Sequence, residues 1–335
     1  MRKRLLSCLC IVMMLVFVIA GCGDANSNSP ESEAIPASET ESTEEKILIG
    51  VVVNDASADT YQTTWYTAAK EYAKELGVDL QILDPAGDVA TQATMIEDLI
   101  NMDCDVIVVW PVNSETAVSS VKRIFEAGIP VMTANTNVSH EGKQYLECHV
   151  GPSNYEEGVA VATVMIEELG DDATICYVGG PPGYSTSQER EAGVMDTIAA
   201  TNITVLENEP DSTYSIEGSQ QIAENWLVKH AKGTIDAIVA FDDSEALGVI
   251  NAVEAAGRDE IKVYAVACGD YNTISYVESG QLAGVAMQSP IIDAQTALDY
   301  ALKIAKGETI KEFYNYIETP VATPDNIATL ELEPW

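Results

Sequence analysis

The stretch GVVVNDASADTYQTTWYTAAKEYAKELG, Gly50–Gly77, decides the fold. A β-branched run opens it, a polar loop follows, and a helical pattern closes it. Trp65, Ala68, Ala69, Tyr72, Ala73 and Leu76 recur at the spacing of one helix face. Gly77 supplies the stop. Strand, loop, helix is the opening of a parallel α/β unit, yet the loop has no glycine with which to cradle a phosphate. It offers Asn54, Asp55, Asp59, Tyr61, Gln62 and Trp65 instead.

The rhythm continues outward. Strands are expected at 78–83, 105–111, 129–135 and 144–150, with helices at 89–102 and 114–127 between them. The run DVIVVWP at 105–111 is apolar throughout, as a sheet covered on both faces requires. A second set then starts, with helices at 154–169, 186–200, 216–229 and 244–256. Its strands fall at 173–178, 203–207, 235–241, 261–267 and 283–287. Two sets of βα units mean two α/β lobes. The helix at 291–306 follows a completed second set, so it is placed to return to the first lobe.

The 335 residues carry 17 Lys and Arg against 53 Asp and Glu, a formal charge of −36. Nucleic acid is excluded as a partner on this ground, because phosphate neutralisation needs clustered cations. Met1-Arg2-Lys3-Arg4 followed by an apolar run to Ala20 reads as a signal peptide, 1–21. Ile19-Ala20-Gly21-Cys22 resembles the bacterial lipobox, which makes Cys22 the expected lipidation site and membrane anchor. Residues 22–45 then form an acidic Ser, Asn, Glu and Pro tether, expected to be disordered. Cys104, Cys148, Cys176 and Cys268 lie on or beside strands without CxxC spacing. They read as buried thiols, with Cys148–Cys176 the disulfide to weigh against that. No cofactor and no metal are expected, since His140, His149 and His230 are scattered.

Ligands in parallel sheets gather at the carboxyl ends of strands. Those loops hold Trp110, Asn135, Thr136, GGPPGYSTS at 179–187, Tyr214, Asp242-Asp243, Cys268 and Gln288, with Arg190 the one cation. Amides, carboxylates and aromatic rings suit a neutral polyol, whose hydroxyls they bond and whose C–H face they stack against. There is no Walker loop, and Pro181 and Pro182 remove two amide donors from the glycine-rich turn. There is no G-x-S-x-G elbow, so an enzyme is not expected. Trp65 reads as core, and Trp110 as core or cleft. Asp243 reads as the helix cap, leaving Asp242 for a ligand.

GVVVND…TYQTTWYTAAKEYAKELG, DVIVVWPVNSETAV, AGIPVMTANT, SQEREAG, AFDDSEALGVI and ESGQLAGVAMQSP occur in this order. Together they resemble the type I periplasmic sugar-binding proteins, the ribose- and galactose-binding group that feeds ABC importers, over about residues 47–319. The resemblance implies two doubly wound parallel-sheet lobes joined by a three-strand hinge, 46–153 plus 289–317 and 154–288 plus 318–335. It implies an aromatic stacker at Tyr61, polar contacts at Asp59 and Gln62, and a clamp at Arg190. Further contacts are implied near Thr213 or Tyr214, at Asp242, and at Gln288. Asn135-Thr136 stand where the ribose-type pattern has Asp-Arg, and Cys268 where it has Asp. Losing that bidentate clamp points away from a ribose-type grip, toward another pentose or hexose, a polyol or a non-sugar. The expected protein is a lipid-anchored, monomeric, extracytoplasmic solute-binding protein. It would hand a small neutral sugar or polyol to an ABC permease. The same module would alternatively serve a chemoreceptor or sensor kinase, and an exported sugar-acting enzyme is the third reading.

Overall fold

The first βα unit forms where the sequence places it: β1 (Leu48–Val52) leads into α1 (Thr60–Leu76). Asp59 caps α1 by accepting from the Gln62 amide at 2.8 Å, and Gly77 ends it in the left-handed region at φ 69°. The computed structural model describes residues 46–332 and 335. The expected signal peptide, Cys22 and the tether lie outside the described residues.

The chain continues through β2 (Asp79–Leu83), α2 (Val89–Asn101), β3 (Val106–Val109), α3 (Ala117–Glu126), β4 (Val131–Ala134) and β5 (His149–Gly151). Next come α4 (Asn154–Leu169), β6 (Thr174–Gly179), α5 (Ser185–Ile198), β7 (Thr204–Pro210), α6 (Ile216–Lys229) and β8 (Ala237–Ala240). The last elements are α7 (Asp243–Ala255), β9 (Lys262–Ala265), α8 (Tyr271–Ser279), β10 (Gly284–Ala286), α9 (Pro290–Ala305), β11 (Tyr314–Tyr316) and β12 (Val321–Ala322). The strand expected at 144–150 is shorter. Residues His140–Tyr145 form a 3-10 turn, because the Gly142 amide bonds back to Ser139 and the Leu146 amide to Lys143.

Two six-stranded sheets result, ordered β11-β5-β4-β3-β1-β2 and β12-β10-β9-β8-β6-β7. Every pairing is parallel except β10 with β12. The sheets are apolar on both faces, as the wholly buried Val106–Val109 shows. One lobe buries Trp65, Val108, Met132 and Leu298 together, and the other buries Trp226, Ile238, Val249 and Val285. The chain crosses between lobes at 152–153, 287–289 and 317–320. Through the second crossing α9 returns to the first lobe, where its Ala294, Ala297 and Leu298 join the core.

Cys148 belongs to the first of these cores and Cys176 to the other, so these two sulfurs do not pair. Burial pushes both thiols up to about 12. In the second lobe, α4 and α5 touch through two glycines. A Cβ on Gly158 would sit 3.0 Å from Gly193 Cα and overlap the Arg190 carbonyl, and one on Gly193 would overlap the Tyr155 carbonyl. A helix-interior glycine costs about 1 kcal/mol relative to alanine. Here it permits an approach that no other residue allows.

Candidate functional site

Strand order reverses between β1 and β3 in one sheet and between β6 and β8 in the other. Such reversals open a crevice at the carboxyl ends of the strands. The two crevices face each other around a cavity of about 250 Å³. That is slightly below the range of about 300–1,000 Å³ for small-molecule sites, and so fits a small ligand.

Nine of the ten candidate residues line this cavity. Asp59, Tyr61, Gln62, Asn135 and Thr136 come from the first lobe; Arg190, Tyr214 and Cys268 come from the second; Gln288 lies on the crossing. Asp242 does not line it. Its Oδ1 accepts the Ser244 and Glu245 amides at 2.9 and 3.2 Å, so Asp242, not Asp243, caps α7. Its Oδ2 accepts from Tyr214 Oη at 2.9 Å. Asp243 instead accepts from the Gly269 and Asp270 amides and the Thr273 hydroxyl, tying α7 to the loop after β9. Burial is the main reason its carboxyl is raised to about 7. Ligand-type atoms of Asp242, Asp243 and Cys268 lie within 4.8 Å of one another. These carboxylates already accept amide and hydroxyl hydrogens from the protein, which is capping chemistry rather than a cation cage.

The walls are aromatic. Tyr61 meets Trp110 edge to face at 6.2 Å, and Trp110 meets Trp65 at 5.4 Å. Trp65 is fully buried, whereas Trp110 is both core and cavity wall. Tyr184 and Phe241, from loops after β6 and β8, complete the opposite side. The polar tips of three of these rings are held by protein. Tyr61 Oη donates to Asp293 at 3.0 Å, Tyr214 Oη donates to Asp242, and Trp110 Nε1 donates to Thr136 at 3.3 Å. Such rings present apolar surface at low entropic cost.

Arg190 is 4% exposed. Its Nε donates to Asn154 Oδ1 at 3.1 Å, Nη1 to the Phe241 carbonyl at 3.3 Å, and its guanidinium lies 4.5 Å from the centre of the Phe241 ring. Nη2 has no hydrogen-bond partner among the described residues, and the side chain borders the cavity. Glu157 stands behind it at 3.6 Å from Nε. Burial dominates at Glu157 and raises its carboxyl to about 7, with Arg190 opposing. Gln288 Nε2 donates to both Glu157 oxygens at 2.8 and 3.0 Å. Asp59 also reads as raised, through burial first, although Gln62 bonds hold it down.

The lobes touch on both sides of the cavity. Thr136 and Thr186 hydroxyls meet at 3.1 Å, Ser185 N donates to Ser114 Oγ at 3.1 Å, and Asn113 Nδ2 donates to the Gly183 carbonyl at 3.2 Å. Opposite them, Tyr214 Oη also reaches Asp59 at 3.2 Å. Glu157 and Asp293, both fully buried, were not among the sequence candidates.

The family pattern described as a periplasmic binding protein domain matches residues 49–309. The chain belongs to this family. It is 28% identical over 295 residues to the xylitol-binding protein of Mycolicibacterium smegmatis, covering 88% of this chain and 82% of that one. It is 29% identical over 278 residues to the ribose import binding protein of Haemophilus influenzae, covering 83% and 91%. An ABC transporter solute-binding protein from Bacillus halodurans, solved with bound myo-inositol, superposes at a TM-score of 0.77. That pair is 25% identical, over 84% of this chain and 96% of the other. The periplasmic binding protein described here is therefore a solute-binding protein and not an enzyme, and its family works outside the cytoplasm. No helix among the described residues is long and apolar enough to cross a membrane.

Proposed function

We propose that this periplasmic binding protein captures a small neutral sugar or polyol by closure of its lobes and delivers it to an ABC importer. The carrying observation is the cavity at the paired switch points. Both lobes contribute hydrogen-bonding groups to it, and aromatic rings wall it. Hydroxyls would bond the free Nη2 of Arg190 and the amides of Gln62 and Gln288, while a sugar's C–H face would lie on Tyr61 and Trp110. Seams such as Thr136–Thr186 and Asp59–Tyr214 favour the closed arrangement once ligand bridges the lobes. The xylitol-, ribose- and inositol-associated relatives support this ligand class without choosing within it. The lipobox-like Ile19-Ala20-Gly21-Cys22 supports a diacylglycerol anchor on Cys22, which would hold a monomer at the membrane surface.

Thermal-shift screening of xylitol, D-ribose, myo-inositol and other polyols is expected to raise Tm with at least one compound. In calorimetry with that compound, Tyr61→Ala should lose most of the affinity while keeping the far-UV spectrum. Unchanged affinity would remove Tyr61 from the site, and no response to any polyol would overturn the ligand class. Labelled diacylglycerol should attach to the wild type and not to Cys22→Ser; attachment to both defeats the anchor.

A further inference from the structure

Two carboxylates sit fully buried on either side of the 287–289 crossing. Asp293, in the first turn of α9, uses Oδ2 to accept from Tyr61 Oη at 3.0 Å and from Asn135 Nδ2 at 2.9 Å. Asn135 is held at φ +58°, a conformation that non-glycine residues seldom adopt. Asp293 thus ties α9 to two cavity residues from separate elements, the first turn of α1 and the loop after β4. Glu157, in the first turn of α4, holds Gln288 through both oxygens and faces Arg190. A buried carboxylate is costly, and either side chain replaced by leucine would pack at less desolvation cost. Each instead orders two lining groups, four in all, and does so from a helix that starts beside a crossing between the lobes.

We propose that Glu157 and Asp293 are a pair of positioning residues that hold the lining side chains of the two lobes at the set geometry, from either side of the crossing. This rests on the reading of the cavity as the ligand site. The surroundings make the pair proton-sensitive. Burial raises Asp293 to about 7, opposed by the bonds from Asn135 and Tyr61. Asp293 is faced by Tyr61 and Trp65 from α1, by Asn135 after β4, and at longer range by Glu157. Glu157 is faced by Arg190 from α5, Gln288 and Thr319 from the crossings, and Asp293 from α9. Protonation removes charge that burial disfavours. The pair is therefore neutral below about 7 and strained by charge above it.

The test uses the full chain without ligand, because the Asp293 network lies within one lobe. Tyr61 adjoins Trp110 and Trp335 edge to face, so near-UV circular dichroism reports its setting. Between about pH 5 and about pH 9 the wild-type signal should titrate with a midpoint near 7. Asp293→Asn keeps an acceptor for Tyr61 and should remove the larger, Asp293 part of that titration; Glu157→Gln should leave that part in place. Asp243, also raised to about 7 and close to Tyr61 and Trp335, is removed by Asp243→Asn in every protein compared; on that background a titration absent from the parent, or surviving in the double variant, overturns the proposal. With the compound that raises Tm, Asp293→Leu should weaken binding by about tenfold or more, and Asp293→Asn should restore it and flatten its pH profile. Equal affinity in Asp293→Leu overturns the positioning role. Retained affinity in Tyr61→Ala instead strikes the reading of the cavity and leaves the spectroscopic result to judge the pair.

Discussion

Arg190→Met is expected to lose ligand affinity by about a hundredfold or more, and its stability should fall in a pH-dependent way. The affinity follows from the free Nη2 at the cavity: hydrogen bonds to a charged donor contribute about 1.5–3 kcal/mol each, and about 1.4 kcal/mol is tenfold. The stability follows from Glu157. Its carboxyl is raised to about 7 in the folded protein, above the ordinary glutamate range, with burial the main cause and Arg190 opposing it. A group raised in this way stabilises the fold most at pH below its unfolded value, and that contribution is lost as pH rises through the folded value. Removing Arg190 raises Glu157 further, so the charged form becomes more costly above about pH 7. Near pH 5.5 the carboxyl is protonated in both proteins, and the variant should lie close to the wild type. By about pH 9 the gap should widen toward a ceiling of about 2.7 kcal/mol, because one proton retained over the two pH units above about 7 is worth about 1.4 kcal/mol per unit. Urea unfolding at the two pH values measures it. An equal gap at both would show that Arg190 contributes through packing alone, and unchanged affinity would show that Nη2 does not reach ligand.

Gly193→Val tests the contact between α4 and α5. The added Cβ would overlap the Tyr155 carbonyl, and Gly158 lies immediately beyond. Neither is the yielding end of a flexible side chain, so the helices must separate. Overpacking costs about 1–3 kcal/mol and occasionally more, and the upper end is expected here. For a lobe of this size that is a fall in Tm of roughly 6–12 °C, at about 2–4 °C per kcal/mol. Arg190 precedes Gly193 by one turn of α5, so affinity should fall with it. Val228→Ala on α6 is the control: Val228 is 90% exposed and its loss should leave both quantities unchanged. A Gly193→Val protein with wild-type Tm would mean that α4 and α5 are not in close contact in solution.

The alternation of strand and helix was readable because the apolar period switches between two and 3.6 residues at each loop. The loops after strands marked the cavity for the same reason: topology puts them there whatever their residues are. What failed was local. Asp242 and Asp243 are adjacent, and the choice of cap depends on which backbone is extended; Asp242 is, at ψ −172°. Cys148 and Cys176 looked pairable only until the cores were separated in space. Glu157 and Asp293 did carry a signal. Glu157 keeps phase with the buried Val161 and Met165, and Asp293 with the buried Ala297 and Ala301. A charge on an apolar stripe is seldom solvated, and its burial here exposes the networks that sequence periodicity alone treats as noise.

The three crossings have a consequence for biogenesis. The sheet that begins with β1 receives its last strand, β11, and the helix α9 from residues 290–316, after every helix of the other lobe has been made. A ribosome emitting this chain releases the second-born lobe nearly whole while the first-born one still lacks a covering helix and an edge. Contacts so distant in sequence close slowly. The half-built lobe would meanwhile show apolar strands to any holding chaperone. Truncation near residue 290 should then spare one half of the molecule and leave the older half unable to finish.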